Sequence, residues 1–368
     1  MTNTWLKRQL SDVGGVEEYD VPGEGVLLLA KRLGLDVKDV VKLDANENFM
    51  LPRELLASEL CQLSSFLDAR LYPLDQKNRL VATLAEFLDV APNQIVIGNS
   101  SDDALETVAR VFLRGGENAV SVTPTFVMYR VITNNLGHKF IEVPLKEDFS
   151  LDPDDILNAC ERSTHICFLC SPNNPAGNQF PVEQVKTLAE RFDGLLVIDE
   201  AYVEYAPCSI VSLTKEYENL VVLRTFSKAF GLAGLRIGYA VASPEIASAL
   251  RRIQLPYNVN TVSLELALRV LKRLDLVRAA VEKVKIERAR LIEAMRHISG
   301  VLPYPSDSNF ILFRTAKEAR RIRDDLAERA ILIRYYDSPG LENYLRVTVG
   351  TEEMNDRFLE ALREIMDA

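Results

Sequence analysis

Thr225-Phe226-Ser227-Lys228 places two hydroxyls and an amine just after an apolar run, 219–224, that reads as a buried strand. Gly234-Leu235-Arg236-Ile237-Gly238 follows shortly and adds a guanidinium. A lysine at the mouth of a sheet can add to a carbonyl to form a Schiff base. Hydroxyls and an arginine beside it can grip a phosphate. Pyridoxal phosphate carries both groups and fits that combination. The plain alternative is a surface lysine in a glycine-rich loop. Further polar groups at upstream strand ends weigh against it.

Gly98-Asn99-Ser100-Ser101-Asp102-Asp103 joins a strand to a helix. Ser100 with Asp103 fits a capping box. The free N–H groups of a helix start also bind phosphate, and the two roles are compatible. Asp199 ends the apolar run Val197-Ile198. A carboxylate there is costly to bury unless it meets a positive partner. A pyridinium nitrogen is such a partner: it keeps Asp199 ionised, and Asp199 keeps the ring protonated as an electron sink. Capping the next helix, or pairing with an arginine, is the other reading of Asp199. Ser171-Pro172-Asn173-Asn174-Pro175-Ala176-Gly177 is rich in turn formers. Asn174, with Tyr202 sharing the task, can hold a ring oxygen. Arg346, in Leu345-Arg346-Val347-Thr348, either faces solvent from an alternating strand or forks onto a substrate carboxylate.

The elements that must position these groups alternate. Strand-like runs at 95–98, 119–122, 140–143 and 165–170 each precede a helical pattern, and a further run at 195–198 ends in Asp199-Glu200. This predicts an α/β fold, a mostly parallel mixed sheet flanked by helices, with ligands outside the carboxyl ends of its strands. The last third changes character. One long helix over 262–298 precedes a strand at 309–313, a helix over 317–330, strands at 331–336 and 344–349, and a closing helix, which reads as a smaller α+β domain. The division expected is an N-terminal arm and small-domain segment (1–50), a large cofactor-binding domain (51–255) and a small domain (256–368). A cleft between two domains is a natural ligand site.

The 368 residues, 48% hydrophobic and 26% charged, are those of an ordinary soluble chain. A net charge of -10 argues against a nucleic-acid partner. No apolar run approaches membrane-spanning length, and residues 1–10 lack a signal-peptide core, so a cytoplasmic protein is expected. Cys167 and Cys170 form a lone C-x-x-C inside a strand pattern that points them to opposite faces; they read as core thiols. The three histidines are scattered, so no metal centre is expected and any general base is another residue type.

In this order, SPNNPAG, VIDEAY, TFSKAFGLAGLRIG and YLRVTVGT resemble the fold-type I pyridoxal-phosphate aminotransferases of the class I/II group. Tyr19-Asp20-Val21-Pro22-Gly23 and Pro256-Tyr257-Asn258-Val259-Asn260 resemble, more narrowly, the histidinol-phosphate aminotransferases of histidine biosynthesis. The likeness runs from about residue 19 to the C-terminus. It implies that Lys228 carries the cofactor and moves the proton between Cα and C4′. It implies that Asp199 pairs with the pyridine nitrogen, that Asn174 and Tyr202 hold the phenolic oxygen, and that Phe126 stacks on the ring. Ser100, Ser101, Asp102, Thr225, Ser227 and Arg236 would lie at the phosphate, joined by Tyr72 from a partner subunit, which implies a homodimer. Tyr19, Asn46, Arg334 and Arg346 would contact substrate, Tyr19 and Arg334 near its phosphate and Arg346 at a carboxylate. The substrates implied are a phosphorylated amino alcohol or amino acid, and glutamate with 2-oxoglutarate. Ser100-Ser101 stands where Gly-Ala is common, Ala176 where Thr is usual, and Glu18 where Pro is frequent.

Lys228 must be neutral to react, and the pyridinium and Arg236 are expected to lower its pKa. Transamination in two halves implies ping-pong kinetics. Competing readings are an aromatic amino acid aminotransferase, a decarboxylase of a phosphorylated amino acid, and a cofactor-binding regulatory protein. A nicotinamide enzyme would need a G-x-G-x-x-G opening that the first strand lacks.

Overall fold

The computed structural model describes residues 4–14 and 24–368. The Tyr19 to Gly23 motif, with Glu18, therefore lies outside the described residues. Twelve strands are present among the described residues: β1 (Val41–Leu43), β2 (Ile95–Gly98), β3 (Asn118–Thr123), β4 (Lys139–Pro144), β5 (Thr164–Cys170), β6 (Leu195–Asp199), β7 (Leu220–Thr225), β8 (Gly238–Val241), β9 (Val301–Pro303), β10 (Phe310–Thr315), β11 (Ile331–Tyr335) and β12 (Tyr344–Thr348).

They form two sheets. The larger has the order β2-β8-β7-β6-β5-β3-β4. Its strands run parallel except β8, which is antiparallel to both neighbours. Every residue of β6 and of β7 is buried, as a strand covered on both faces requires. Helices such as Ser101–Phe112 and Val182–Arg191 supply the covering, each through one apolar stripe. The second sheet, β1-β11-β12-β10-β9, is antiparallel except where β1 lies parallel to β11.

Three details depart from the sequence reading. The long helix over 262–298 is two helices, Thr261–Leu271 and Leu274–Arg296, broken at Lys272 and Arg273. The first is buried nearly all round, whereas the second buries only a stripe, so one straight rod does not serve both surroundings. β8 was hidden because its four residues follow directly on a glycine-rich loop. The capping box is shifted: Ser100 Oγ accepts from the Asp102 N–H at 3.2 Å, while Asp103 Oδ2 accepts from the Asn99 N–H at 2.8 Å.

Candidate active site

The carboxyl ends of β2, β3, β5, β6 and β7 open into one cavity of about 540 Å³. Lining residues from the second sheet and the segment after β1 close its other side. Of the residues singled out above, it brings together Asn46, Ser101, Asp102, Phe126, Asn174, Asp199, Tyr202, Thr225, Ser227, Lys228, Arg236, Arg334 and Arg346. Ser100 is buried just behind the wall, turned to cap the helix. Tyr72 is not in the cavity of its own chain; it is 75% exposed and stacks on Tyr257 at 4.3 Å.

Lys228 follows β7 and reaches across the cavity, where its Nζ donates to the Ala45 carbonyl at 2.8 Å. Burial pushes its pKa down to about 8, and Arg346 and Lys42 add repulsion against Glu47 and Asp102. The second-sheet Arg346, rather than the expected Arg236, is the leading cation acting on it. Above that pH the amine is neutral and nucleophilic.

Asp199 ends β6 and is 4% exposed. Its Oδ1 accepts from the Ala201 N–H at 3.0 Å and its Oδ2 from the Tyr129 hydroxyl at 2.9 Å. Burial raises it to about 6. The neighbouring Glu200 is treated differently: two Arg224 nitrogens bond one of its oxygens at 3.0 and 2.9 Å. Ser209 and the Ile210 N–H bond it as well, which braces the turn that follows Asp199. A buried carboxylate with a charged partner beside one without marks the second as the place for an incoming cation.

Another part of this wall is rich in donors. The helix Ser101–Phe112 begins there, after Ser100 at φ 87. The approach is close: a Cβ on Gly238 would meet the Ser101 nitrogen at 2.4 Å, so only glycine fits. Arg236 lies on Asp102 at 2.7 Å and bonds Ser227 Oγ at 3.4 Å, while Thr225 Oγ1 donates to Ser227 Oγ at 3.0 Å. Helix N–H groups, hydroxyls and a guanidinium at one point suit a phosphate. These donors, the lone Asp199 carboxylate and the depressed lysine together fit pyridoxal phosphate.

The second sheet adds the remaining cations. Arg346 donates to Asn174 Oδ1 at 2.6 Å and to the Asp44 carbonyl at 2.7 Å, and its guanidinium lies 5.1 Å from the Phe310 ring. Arg334 is its register partner across β11 and β12 and sits 5.5 Å from the Tyr336 ring. Asn46, held at φ 57, donates to the Tyr202 hydroxyl at 3.0 Å; burial raises the Tyr202 phenol, against the opposing pull of Arg346 and of this bond.

Sequence reasoning missed Tyr129, Ala45 and Asp44. Tyr129 lies one helical turn past Phe126, where an aromatic reads as core. The other two act through backbone carbonyls, which leave no side-chain signature. No cluster of potential metal ligands occurs among the described residues, and no described helix is long and apolar enough to cross a membrane.

Residues 38–362 match the family described as Aminotransferase class I and II. A histidinol-phosphate aminotransferase of Roseiflexus castenholzii is 39% identical, over 96% of this chain and 97% of its own. Histidinol-phosphate aminotransferase 1 of Carboxydothermus hydrogenoformans is 41% identical, over 89% of this chain and 93% of its own. The crystal structure of histidinol-phosphate aminotransferase from Sinorhizobium meliloti in complex with pyridoxal-5'-phosphate superposes with a TM-score of 0.86, at 27% identity, covering 95% of this chain and 96% of that one.

Proposed function

The chain belongs to the class I and II aminotransferase family, and from that premise we propose that it transfers the amino group of L-histidinol phosphate to 2-oxoglutarate, giving imidazole acetol phosphate and L-glutamate, with pyridoxal phosphate as cofactor. The observation that carries the reading is a single cavity holding a depressed lysine, an unsalted buried aspartate, a phosphate cradle and two further arginines. The names of the relatives support the choice of histidinol phosphate.

When bound, the cofactor supplies an electron sink for charge developing at the substrate Cα. The chain's own groups do the rest. Lys228 would hold the cofactor through its amine and, once released by the incoming substrate amine, would move the Cα proton as a neutral base. Asp199 would hold the ring nitrogen, and Asn174 and Tyr202 the ring oxygen. Phe126 covers the ring face. The backbone segment of Ser100, Ser101 and Asp102 at the helix start, with Thr225, Ser227 and Arg236, would hold the cofactor phosphate. Asn46 and Arg346 face the substrate, Arg346 taking the carboxylate of glutamate and Arg334 the phosphate of histidinol phosphate. Tyr19 is assigned to that phosphate by resemblance alone.

The working unit is proposed to be a cytoplasmic homodimer, each chain divided at about residues 50 and 255. An exposed apolar patch supports the association: Leu71, Tyr72 and Leu74 meet Leu255 and Tyr257 through the Tyr72–Tyr257 stack. The test is a half-reaction screen. Purified protein loaded with pyridoxal phosphate is mixed with single amino donors, and loss of the visible cofactor band is followed. Histidinol phosphate and glutamate should bleach it. Bleaching by aromatic amino acids alone, or by no donor, overturns the reading.

A further inference from the structure

The segment after β1 is pinned from both sides of the cavity. The Asp44 carbonyl accepts from Arg346 at 2.7 Å and the Ala45 carbonyl from Lys228 at 2.8 Å. The Asn46 N–H donates to Thr348 Oγ1 at 2.9 Å, and Asn48 Nδ2 to the Ala229 carbonyl at 2.8 Å. Glu47 stands between these two anchored asparagines, two positions past the carbonyl that holds the Lys228 amine, and it lines the same cavity. Alternation along β1 buries Val41 and Leu43 and turns Lys42 the other way. There Lys42 Nζ bonds Glu47 Oε1 at 2.7 Å and Asp44 Oδ1 at 2.8 Å. Two carboxylates share one ammonium, which leaves a negative charge in excess on this wall. Glu47 Oε2 is buried with no hydrogen-bond partner among the described residues, so nothing there disperses its charge. We propose that Lys42 and Glu47 are positioning residues for Lys228: Lys42 fixes the Glu47 carboxylate on the wall that Lys228 reaches, and the balance of those two charges sets how readily the Lys228 amine gives up its proton. This rests on Lys228 being the lysine that reacts with the cofactor.

The charges that face Lys228 come from several elements. Lys42 and Glu47 belong to β1 and the segment after it, Asp102 to the start of the helix Ser101–Phe112, Asp199 to the end of β6 and Arg346 to β12. The Tyr202 ring lies 5.7 Å from its Nζ. Burial pushes Lys228 down; Arg346 and Lys42 add to the fall, while Glu47 and, after it, Asp102 oppose it. Glu47 is therefore the leading carboxylate acting on the amine, and Lys42 acts with the opposite sign. Burial alone would lower Lys42, but Asp44 and Glu47 outweigh it and raise Lys42 above the usual lysine value, so it stays a cation while Lys228 titrates.

The test needs no cofactor. The full-length apoprotein is acetylated with limiting acetic anhydride between pH 6 and 10, and mass spectrometry follows the Lys228 peptide against that of Lys38, whose side chain is 77% exposed. Only the neutral amine reacts, so the rate reports the Lys228 midpoint, expected at about 8 in wild type. Glu47→Gln keeps the shape and removes the negative charge. Its midpoint should fall by about one pH unit, the lower end of the shift from one nearby charge, and acetylation at pH 6 should run roughly tenfold faster. Lys42→Met should move the midpoint upward and slow the reaction. The double variant loses one charge of each sign and should return close to wild type. A wall that merely loosened would wet Lys228 and drive the midpoint up toward 10.5 in every variant. An unmoved or raised midpoint in Glu47→Gln therefore overturns the proposal, as does a lowered one in Lys42→Met. Should Lys42→Met fail to fold, the Glu47→Gln result decides alone. A wild-type Lys228 that titrates like Lys38 would instead overturn the reading of Lys228 as the reactive amine.

Discussion

Arg346 on β12 donates to Asn174 Oδ1 at 2.6 Å, joining the second sheet to the loop after β5. With its oxygen taken, the Asn174 amide is oriented so that its NH₂ end is the donor left for a ligand. Arg346→Gln therefore removes the cation proposed for the substrate carboxylate and frees the orientation of Asn174 together. The kcat/KM of the glutamate half-reaction should fall roughly 10–150-fold, the value of one charge-assisted hydrogen bond. Stopped-flow bleaching by glutamate checks this; an unchanged rate would show that Arg346 serves structure alone.

Lys228→Ala should abolish the borohydride-reducible adduct. It should also lower turnover by at least the roughly 10²–10⁴-fold expected for loss of a general base. Peptide mapping after reduction reads the first effect directly. Trapping of the cofactor on another lysine would refute the assignment.

Asp199 links pH to stability in the apoprotein. Its folded pKa, about 6, lies above the unfolded 3.8. A raised carboxyl binds its proton more tightly in the folded state, so its contribution is present below pH 3.8 and is lost as pH rises through 6. Replacing it with a group that never ionises removes that loss. Asp199→Asn apoprotein should be more stable than wild type at pH 8 by about 2–3 kcal/mol, the worth of a shift near two units. The advantage should vanish at pH 4. Urea melts at both values check it, and catalysis should be lost despite the added stability.

Arg334→Gln should lower kcat/KM for histidinol phosphate by roughly 10–150-fold and hardly affect histidinol, which has no phosphate. Equal losses on both substrates would place Arg334 outside phosphate recognition.

Tyr72 tests the shared site. Tyr72→Phe should weaken cofactor retention. Mixed with Lys228→Ala subunits under exchange, it should regain part of the activity, because one hybrid site then carries neither lesion. No recovery, with exchange demonstrated, would confine each site to one chain.

The polar residues at or just past the carboxyl ends of β5, β6 and β7 were legible because each buried run gives way there to groups that have no business in a core: Asn174, Asp199 and Lys228. Arg346 was read as one of two options; it is 6% exposed and packs over Phe310, so it does not face solvent. What the sequence concealed are relations across distance. The Ala45 carbonyl reaches Lys228 over 183 positions, and Tyr129 reaches Asp199 over 70. Neither spacing has a local period, so only the closed fold reveals them. β8 stayed hidden for the opposite reason: it is short, and its glycine start is required by the Ser101 backbone rather than by strand propensity.

Arg334 and Arg346 occupy one rung of an antiparallel ladder, so both side chains leave the same face. Like charges directly opposite weaken a strand pair. An anion drawn between them gains two attractions and also relieves the repulsion across β11 and β12. Ligand capture and cohesion of the second sheet are then a single thermodynamic account: whatever fills that rung acts as a fastener for the strands that present it. Occupancy of the cavity should accordingly be felt well beyond it, as tighter protection of the β11 and β12 amides against solvent exchange.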